Sequence, residues 1–100
     1  MTVTKTNENG TVTLRPDGWL DTASSPILGA EVDALTEAKE LVLDFELVEY
    51  MSSAGLRQVV AAHKKAKSLD AGFSVINVGN EVMSIFKMTG IDKKLDIRAK

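Results

Sequence analysis

Cysteine is absent from this 100-residue sequence, which also has only one histidine, two prolines and few aromatic residues. Without cysteine, the chain can form neither a disulfide framework nor a thiolate metal site. The single histidine, His63, has no partner residues at a spacing typical of catalysis or metal binding. No Gly-rich phosphate loop and no nucleophile-elbow pattern occur either. We therefore expect a protein that is not an enzyme and that has no metal and no cofactor.

Long apolar runs and a strong net charge are missing as well. No stretch approaches the roughly 20 apolar residues of a membrane span, and the polar N-terminus lacks the apolar stretch of a signal peptide. A net charge of −2 provides no basic field for a phosphate backbone. We therefore expect a cytoplasmic protein that binds neither membranes nor nucleic acids directly. The length and the 44% hydrophobic content suit one domain over residues 1–100.

The N-terminal part of the sequence predicts a β-hairpin. Thr2–Thr6 and Thr11–Arg15 both alternate polar with β-branched or apolar residues, and Asn9-Gly10 between them favours a tight turn. Pro16–Gly18 has the composition of a further turn. An exposed edge at Thr2–Thr6 would allow pairing between chains, but its threonines and Lys5 discourage this. We expect a monomer or a weak dimer.

Helical and strand patterns alternate after the hairpin. Residues 46–51 are predicted to be a connection, and residues 91–97 form a weaker segment that can hold an edge strand. The remaining elements are helices over residues 25–38, 53–67 and 80–89 and buried strands over residues 41–45 and 73–78. This order predicts an α/β fold with a mixed, mostly parallel sheet of about four to five strands flanked by helices.

Ser52 and Ser53 open the second predicted helix, where free N–H groups and the positive end of the helix dipole collect. In the simplest interpretation, Ser52 caps the helix and Ser53 only occupies its first turn. Alternatively, Ser53 is an exposed hydroxyl beside a partner-binding surface, where phosphorylation would add about −1.5 to −2 charges. The helix would tolerate this charge, whereas an acidic or closely packed partner would not.

Residues near these serines are open to more than one interpretation. Tyr50 and Met51 are expected to cover the core rather than to form exposed contacts. Lys64, Lys65 and Lys67 form a small basic patch that is solvated by default.

The segment Leu41–Leu56, LVLDFELVEYMSSAGL, resembles the signature of the STAS domain family, named for sulphate transporters and anti-sigma factor antagonists. In the bacterial anti-sigma factor antagonist branch, an apolar strand, a short loop and an aromatic-Met pair precede Asp-Ser-Ser/Thr-Gly-Leu. The segment Gly18–Asp21 is similar to the Gly-x-Leu-Asp of the family, and Val82–Ile91 resembles its apolar helix ending in Gly-Leu/Ile. The similarity spans nearly the whole chain in the right order.

This resemblance implies a STAS-like mixed sheet flanked by helices and a regulatory binding function. In the antagonist branch, the unphosphorylated protein binds an anti-sigma factor, usually a serine kinase of the histidine-kinase-like ATPase type, and the sigma factor is released. The kinase then phosphorylates the serine after the motif aspartate, which dissociates the complex, and a phosphatase resets the switch. Carried over to this chain, that serine is Ser53, and Asp21 is expected close to it. The expected partner-binding residues are Asp21, Ser52, Ser53, Ala54, Gly55 and Arg57.

Two positions depart from the family motif, because Ser52 stands in place of the aspartate and Ala54 in place of the Ser/Thr. Ser52 can still cap the helix, but it provides no negative charge for kinase recognition. The alternative function is therefore an unphosphorylated STAS scaffold subunit of a signalling or lipid-transport complex. For Asp21 the alternative is an Asx turn or cap before the first helix. Arg57 is equally well explained as a partner contact or as part of a solvated helix face.

Overall fold

Six strands and three α-helices form this protein, and the computed structural model describes every residue from Met1 to Lys100. The strands are β1 (Thr2–Glu8), β2 (Thr11–Leu20), β3 (Glu40–Asp44), β4 (Val48–Met51), β5 (Gly72–Val78) and β6 (Ile97–Ala99). The helices are α1 (Ser25–Asp33), α2 (Ser53–Ser68) and α3 (Asn80–Thr89), followed by a 3₁₀ turn at Ile91–Lys93. The alternation of strands and helices confirms the predicted α/β class.

The strands form one mixed sheet in the order β1-β2-β3-β5-β6, and β4 pairs with β2 outside this row. β1 and β2 form the predicted antiparallel hairpin, with Asn9 and Gly10 at positive φ in its turn. All other strand pairs are parallel. β2 is long enough to pair with β3 through Thr11–Leu14 and with β4 through Gly18–Leu20. The mostly parallel sheet is thus as predicted, and it has six strands where about four to five were expected.

The hydrophobic core lies against one face of the central strands. Leu14, Leu43 and Val75 are register partners on β2, β3 and β5, and all three are fully buried. The preceding row, Thr13, Val42 and Ser74, faces the other way and is only half-buried. Each fully buried Leu or Val of the core contributes about 1.5–3 kcal/mol relative to an exposed side chain. The helices complete the core through Leu28, Val32, Val59, Ala62, Ala66, Val82 and Phe86.

β2 continues through Pro16–Gly18, where the sequence predicts a turn, so that prediction was wrong. Pro16 is a register partner of Val3, Gly18 has a φ of +114°, and the pairing with β4 shifts between Gly18 and Trp19. Proline and glycine inside a strand often mark such an irregularity instead of its end. Beyond this point β2 pairs with β4 and no longer with β3.

The predicted connection over residues 46–51 contains the strand β4, so that prediction was wrong too. Val48 and Met51 are buried, whereas Glu49 and Tyr50 between them are exposed. A strand of only four residues is too short to show a clear alternation of apolar and polar residues in the sequence. It forms because Gly18–Leu20 offer backbone partners after β3 has ended.

The first helix ends at Asp33, five residues before the predicted end at residue 38. The side-chain Nζ of Lys65, on α2, donates a 3.3 Å hydrogen bond to the carbonyl oxygen of Asp33. The backbone N–H of Lys39 donates to the carbonyl oxygen of Gly10, which aligns the chain for β3 beside β2. The apolar spacing continues to Leu35, which is buried although it lies outside the helix.

Asp44, at the end of β3, is the only buried charged residue. Burial by itself raises the pKa of its carboxyl group, but hydrogen bonds from Asn77, the Glu46 N–H and Arg15 hold that pKa below its ordinary value. Asn77 has a φ of +57° at an irregularity of β5. The carboxylate therefore joins β2, β3 and β5 and fixes the start of the loop to β4.

Candidate phosphorylation and partner-binding site

The start of α2 is attached to the end of β2 by a backbone hydrogen bond. The N–H of Ser52 donates to the carbonyl oxygen of Leu20 at 3.0 Å. Ser52 has an extended backbone, with φ −91° and ψ 179°, and its hydroxyl lies 3.5 Å from both the Gly55 nitrogen and the Leu20 oxygen. Ser52 is therefore the N-cap, as predicted, and its hydroxyl faces protein groups.

Ser53 is the first residue of α2 and is exposed. Its hydroxyl makes no hydrogen bond within the protein, in contrast to the hydroxyl of Ser52. Helix geometry leaves the N–H groups of Ser53 and Ala54 without a partner inside the helix. An accessible hydroxyl therefore lies in the positive potential of a 16-residue helix, which favours a negatively charged substituent there.

Gly55 allows α2 to begin this close to the sheet. A Cβ atom at this position would lie 2.5 Å from the carbonyl oxygen of Leu20 and 2.8 Å from Cγ of Met51. The first of these atoms belongs to the backbone and cannot move aside easily. Gly55 is therefore a structural requirement for the position of Ser53, rather than a residue whose own atoms are offered to a partner.

Asp21 forms an Asx turn that leads into α1, the alternative that the sequence left open. Its Oδ1 accepts hydrogen bonds from the N–H groups of Ala23 and Ser24, at 3.1 and 3.0 Å, and from the hydroxyl of Ser24. The backbone and side-chain hydrogen bonds from Ser24 hold the pKa of Asp21 below its ordinary value. Since Asp21 directly follows Leu20, this loop lies next to the start of α2. The expected closeness of Asp21 to Ser53, and its role in partner binding, stay predictions.

An exposed aromatic pair lies on the strands that lead into the site. Trp19 and Tyr50 are register partners on β2 and β4, with ring centroids 5.2 Å apart, and they are 58% and 44% exposed. The expectation that Tyr50 covers the core was therefore wrong, whereas Met51 does so, at 1% exposure. No local signal in the sequence marks this pair, because the four residues of β4 are too few to show the period of a strand.

The six predicted partner-binding residues differ in what they offer to a partner. Ser53 and Arg57 are exposed, one helical turn apart on α2, whereas Ala54 is half-buried and Gly55 is buried. Arg57 forms no ion pair with another residue. The accessible groups at this end of the molecule are thus a hydroxyl, a guanidinium and the aromatic pair.

The structure contains neither a metal-binding cluster nor a membrane-spanning helix. No group of three or more histidine or acidic side chains is arranged to bind a metal ion. None of the helices has the length and apolar character needed to cross a lipid bilayer.

Comparisons with known proteins agree with the fold. The STAS domain family model matches residues 2–100. The anti-sigma-B factor antagonist of Bacillus subtilis (strain 168) is 30% identical over 97 residues, which cover 96% of this chain and 88% of the relative. The chain belongs to the STAS domain family, in the branch of the anti-sigma factor antagonists.

Among the solved structures that are similar to this fold are the following two. The crystal structure of an anti-sigma factor antagonist from Mycobacterium paratuberculosis matches with a TM-score of 0.89 at 25% identity, covering 99% of this chain and 86% of that one. The phosphorylated form of the Bacillus cell fate determinant SpoIIAA matches with a TM-score of 0.72 at 16% identity, covering 96% of this chain and 90% of that one. The second match shows the shared fold alone.

Proposed function

We propose that this protein is an anti-sigma factor antagonist that is switched by phosphorylation of Ser53. In its unphosphorylated form it binds an anti-sigma factor that is also a histidine-kinase-like serine kinase, and the sigma factor is released. The kinase transfers the γ-phosphoryl group of ATP to the Ser53 hydroxyl oxygen, with release of ADP and a proton, and the complex dissociates. A phosphatase restores the hydroxyl by hydrolysis. The protein acts in the cytoplasm as a binding module without catalytic activity of its own.

The observation that carries this proposal is the difference between two adjacent hydroxyl groups. Ser52 is half-buried and its hydroxyl faces the Leu20 oxygen and the Gly55 N–H, whereas Ser53 is exposed and its hydroxyl is free. A kinase therefore reaches Ser53 without opening the helix cap. This supports Ser53 as the acceptor although Ser52 replaces the aspartate of the family motif.

The position of Ser53 also supports a switch that acts on the partner rather than on the fold. A phosphate there lies at the positive end of α2, beside the N–H groups of the first turn. The domain therefore keeps its structure while its surface gains about −1.5 to −2 charges. A partner surface that packs closely on Ser53, or that carries acidic groups there, loses its contact.

The test is incubation of the purified protein with ATP and the candidate serine kinases encoded near its gene. Intact mass and peptide mapping are expected to show one phosphate, on Ser53, and the phosphorylated protein is expected to leave a preformed complex. S53A should bind the kinase and accept no phosphate, whereas S52A should still accept it. Phosphate on Ser52, or no kinase that binds or modifies the protein, would refute the proposal.

The scaffold function is the second candidate, because Ser52 leaves the site without the negative charge of the motif aspartate. A scaffold would form a complex that ATP does not dissolve. S53D separates the two functions, since it should abolish binding by a switched antagonist and leave a scaffold complex intact.

A further inference from the structure

The exposed face of α2 that begins at Ser53 continues along the helix as a row of accessible residues. Arg57, Ala61 and Lys64 follow Ser53 at intervals of four, four and three residues, and all are exposed. At 100° per residue these positions point to the same side of the helix. The row from Ser53 to Lys64 is about 16 Å long at the usual helical rise.

A shallow groove runs beside this row, between α2 and the end of α3. Its α2 side is formed by Leu56, Val60 and Ala61, and its opposite side by Thr89 and Ile91. The groove has a volume of about 400 Å³. Leu56 and Val60 are half-buried, so part of their apolar surface stays accessible to a partner. The groove is thus large enough to accept an apolar side chain from outside.

The groove has cationic residues on its α2 side and no acidic residue in its lining. Arg57 and Lys64 line it, and neither forms an ion pair within the protein. Lys65 is their neighbour in sequence, but its Nζ is directed to the carbonyl oxygen of Asp33. On a protein with a net charge of −2, this local pair of uncompensated cations indicates an acidic occupant.

We infer that this groove docks an acidic segment of the kinase that phosphorylates Ser53, anchored by one apolar side chain. The inference rests on the proposed function and adds a second contact to it. The apolar side chain covers Leu56 and Val60, and flanking carboxylates approach Arg57 and Lys64. Because the groove begins about one helical turn after Ser53 on the same helix, docking raises the local concentration of the kinase at its acceptor.

The first experiment measures the affinity of the kinase for a variant that reverses one charge of the groove. K64E is expected to weaken binding by about tenfold and to raise KM with little change in kcat, because the contact is remote from the phosphate transfer. K5E changes net charge equally on the exposed strand β1 and should behave as wild type. Equal losses in K64E and K5E, or no loss in either, would overturn the inference.

A second variant separates an apolar docking groove from a general cationic surface. A61R places a long side chain in the groove from an exposed position and adds one positive charge. If an apolar side chain docks there, A61R weakens kinase binding in spite of its charge. Tighter binding by A61R would show that only charge matters and would reject the groove.

A third measurement does not depend on the kinase and so separates failure of the groove from failure of the proposed function. The full chain, labelled with ¹⁵N, is titrated with a 12-residue peptide that carries one leucine flanked by glutamates, and with the same peptide carrying lysines. Shifts confined to Leu56, Val60 and Ile91 with the acidic peptide alone support the groove. Equal shifts with both peptides, no shifts, or groove shifts on raising the protein concentration alone would contradict it.

Discussion

A Cβ atom on Gly55 would lie 2.5 Å from the carbonyl oxygen of Leu20, closer than such atoms approach each other in proteins. The same carbonyl accepts the hydrogen bond from the Ser52 N–H. The end of β2 and the start of α2 are therefore in direct backbone contact. This contact sets the position of Ser53 relative to the loop that begins at Asp21.

Replacing Gly55 by alanine should destabilise the protein, although alanine favours helices by about 1 kcal/mol over glycine. The clash with Leu20 is of the overpacking kind, which costs about 1–3 kcal/mol and shifts the backbone. We expect a net loss in urea unfolding and a slower phosphorylation of Ser53. G79A is the control, because its Cβ would meet nothing within 4 Å. If G55A is as stable as G79A, the close contact does not constrain α2.

Replacing Ser52 by aspartate isolates the charge that the family motif has and this chain lacks. Asp and Asn both cap helices well, so S52D and S52N should each fold, whereas S52A should lose about 1 kcal/mol. S52D should add about 0.5 kcal/mol through the helix dipole and should increase the kcat/KM of the kinase for Ser53. Equal kcat/KM values for S52D and S52N would show that the missing charge is irrelevant.

The substitution S53D should break partner binding without weakening the fold. A carboxylate in the first turn of α2 stabilises the helix through its interaction with the helix dipole. The free energy of unfolding should therefore stay equal or rise by about 0.5 kcal/mol. Calorimetry gives the stability, and titration with the kinase gives the affinity. S53N keeps the shape without the charge and should bind the kinase more tightly than S53D. Loss of stability in S53D would instead point to a switch that unfolds the site.

The lowered pKa of Asp44 predicts how the free energy of unfolding depends on pH. Its pKa is lowered in the folded state, so its contribution is complete above the ordinary pKa near 3.8 and is lost as the pH falls through the lowered value. D44N should cost about 1–3 kcal/mol at neutral pH, because charged hydrogen bonds to Arg15 and Asn77 are weakened. Urea unfolding at a series of pH values should show that the difference in the free energy of unfolding between D44N and wild type shrinks as the pH falls below 4.

Asp96 provides the matched control for this titration, because it pairs with Arg98 on the surface. D96N should cost less than about 1 kcal/mol at neutral pH, as is usual for exposed ion pairs. A cost for D96N equal to that for D44N would mean that the buried position of Asp44 has no special role.

Several elements were predictable from the sequence because their signals are local. The Asn9-Gly10 turn, the strands around Leu43 and Val75, and the cap at Ser52 depend on side chains within a few residues of each other. The third helix, predicted over residues 80–89, likewise ends before a glycine, since Gly90 has a φ of +76°. Such features follow from local backbone preference and the alternation of apolar residues.

Other elements depend on residues distant in the chain and left no local signal. β4 exists because β2 runs beyond β3, and α1 ends where Lys65 reaches the Asp33 carbonyl oxygen. The exposure of Tyr50 follows from its pairing with Trp19. In each case the partner is more than 20 residues away, so no window of the sequence contains both groups.

The sequence by itself determined the α/β class, the helix that starts at the serine pair, and the resemblance from which Ser53 is predicted as the acceptor. Tertiary structure alone decided that the Ser52 hydroxyl faces inward while Ser53 is free, that Gly55 must lack a side chain, and that a groove with two cationic residues begins one helical turn after Ser53. The physical reason is that backbone preferences act between neighbours in the chain. Burial, close contact and uncompensated charge are set only when distant segments pack together.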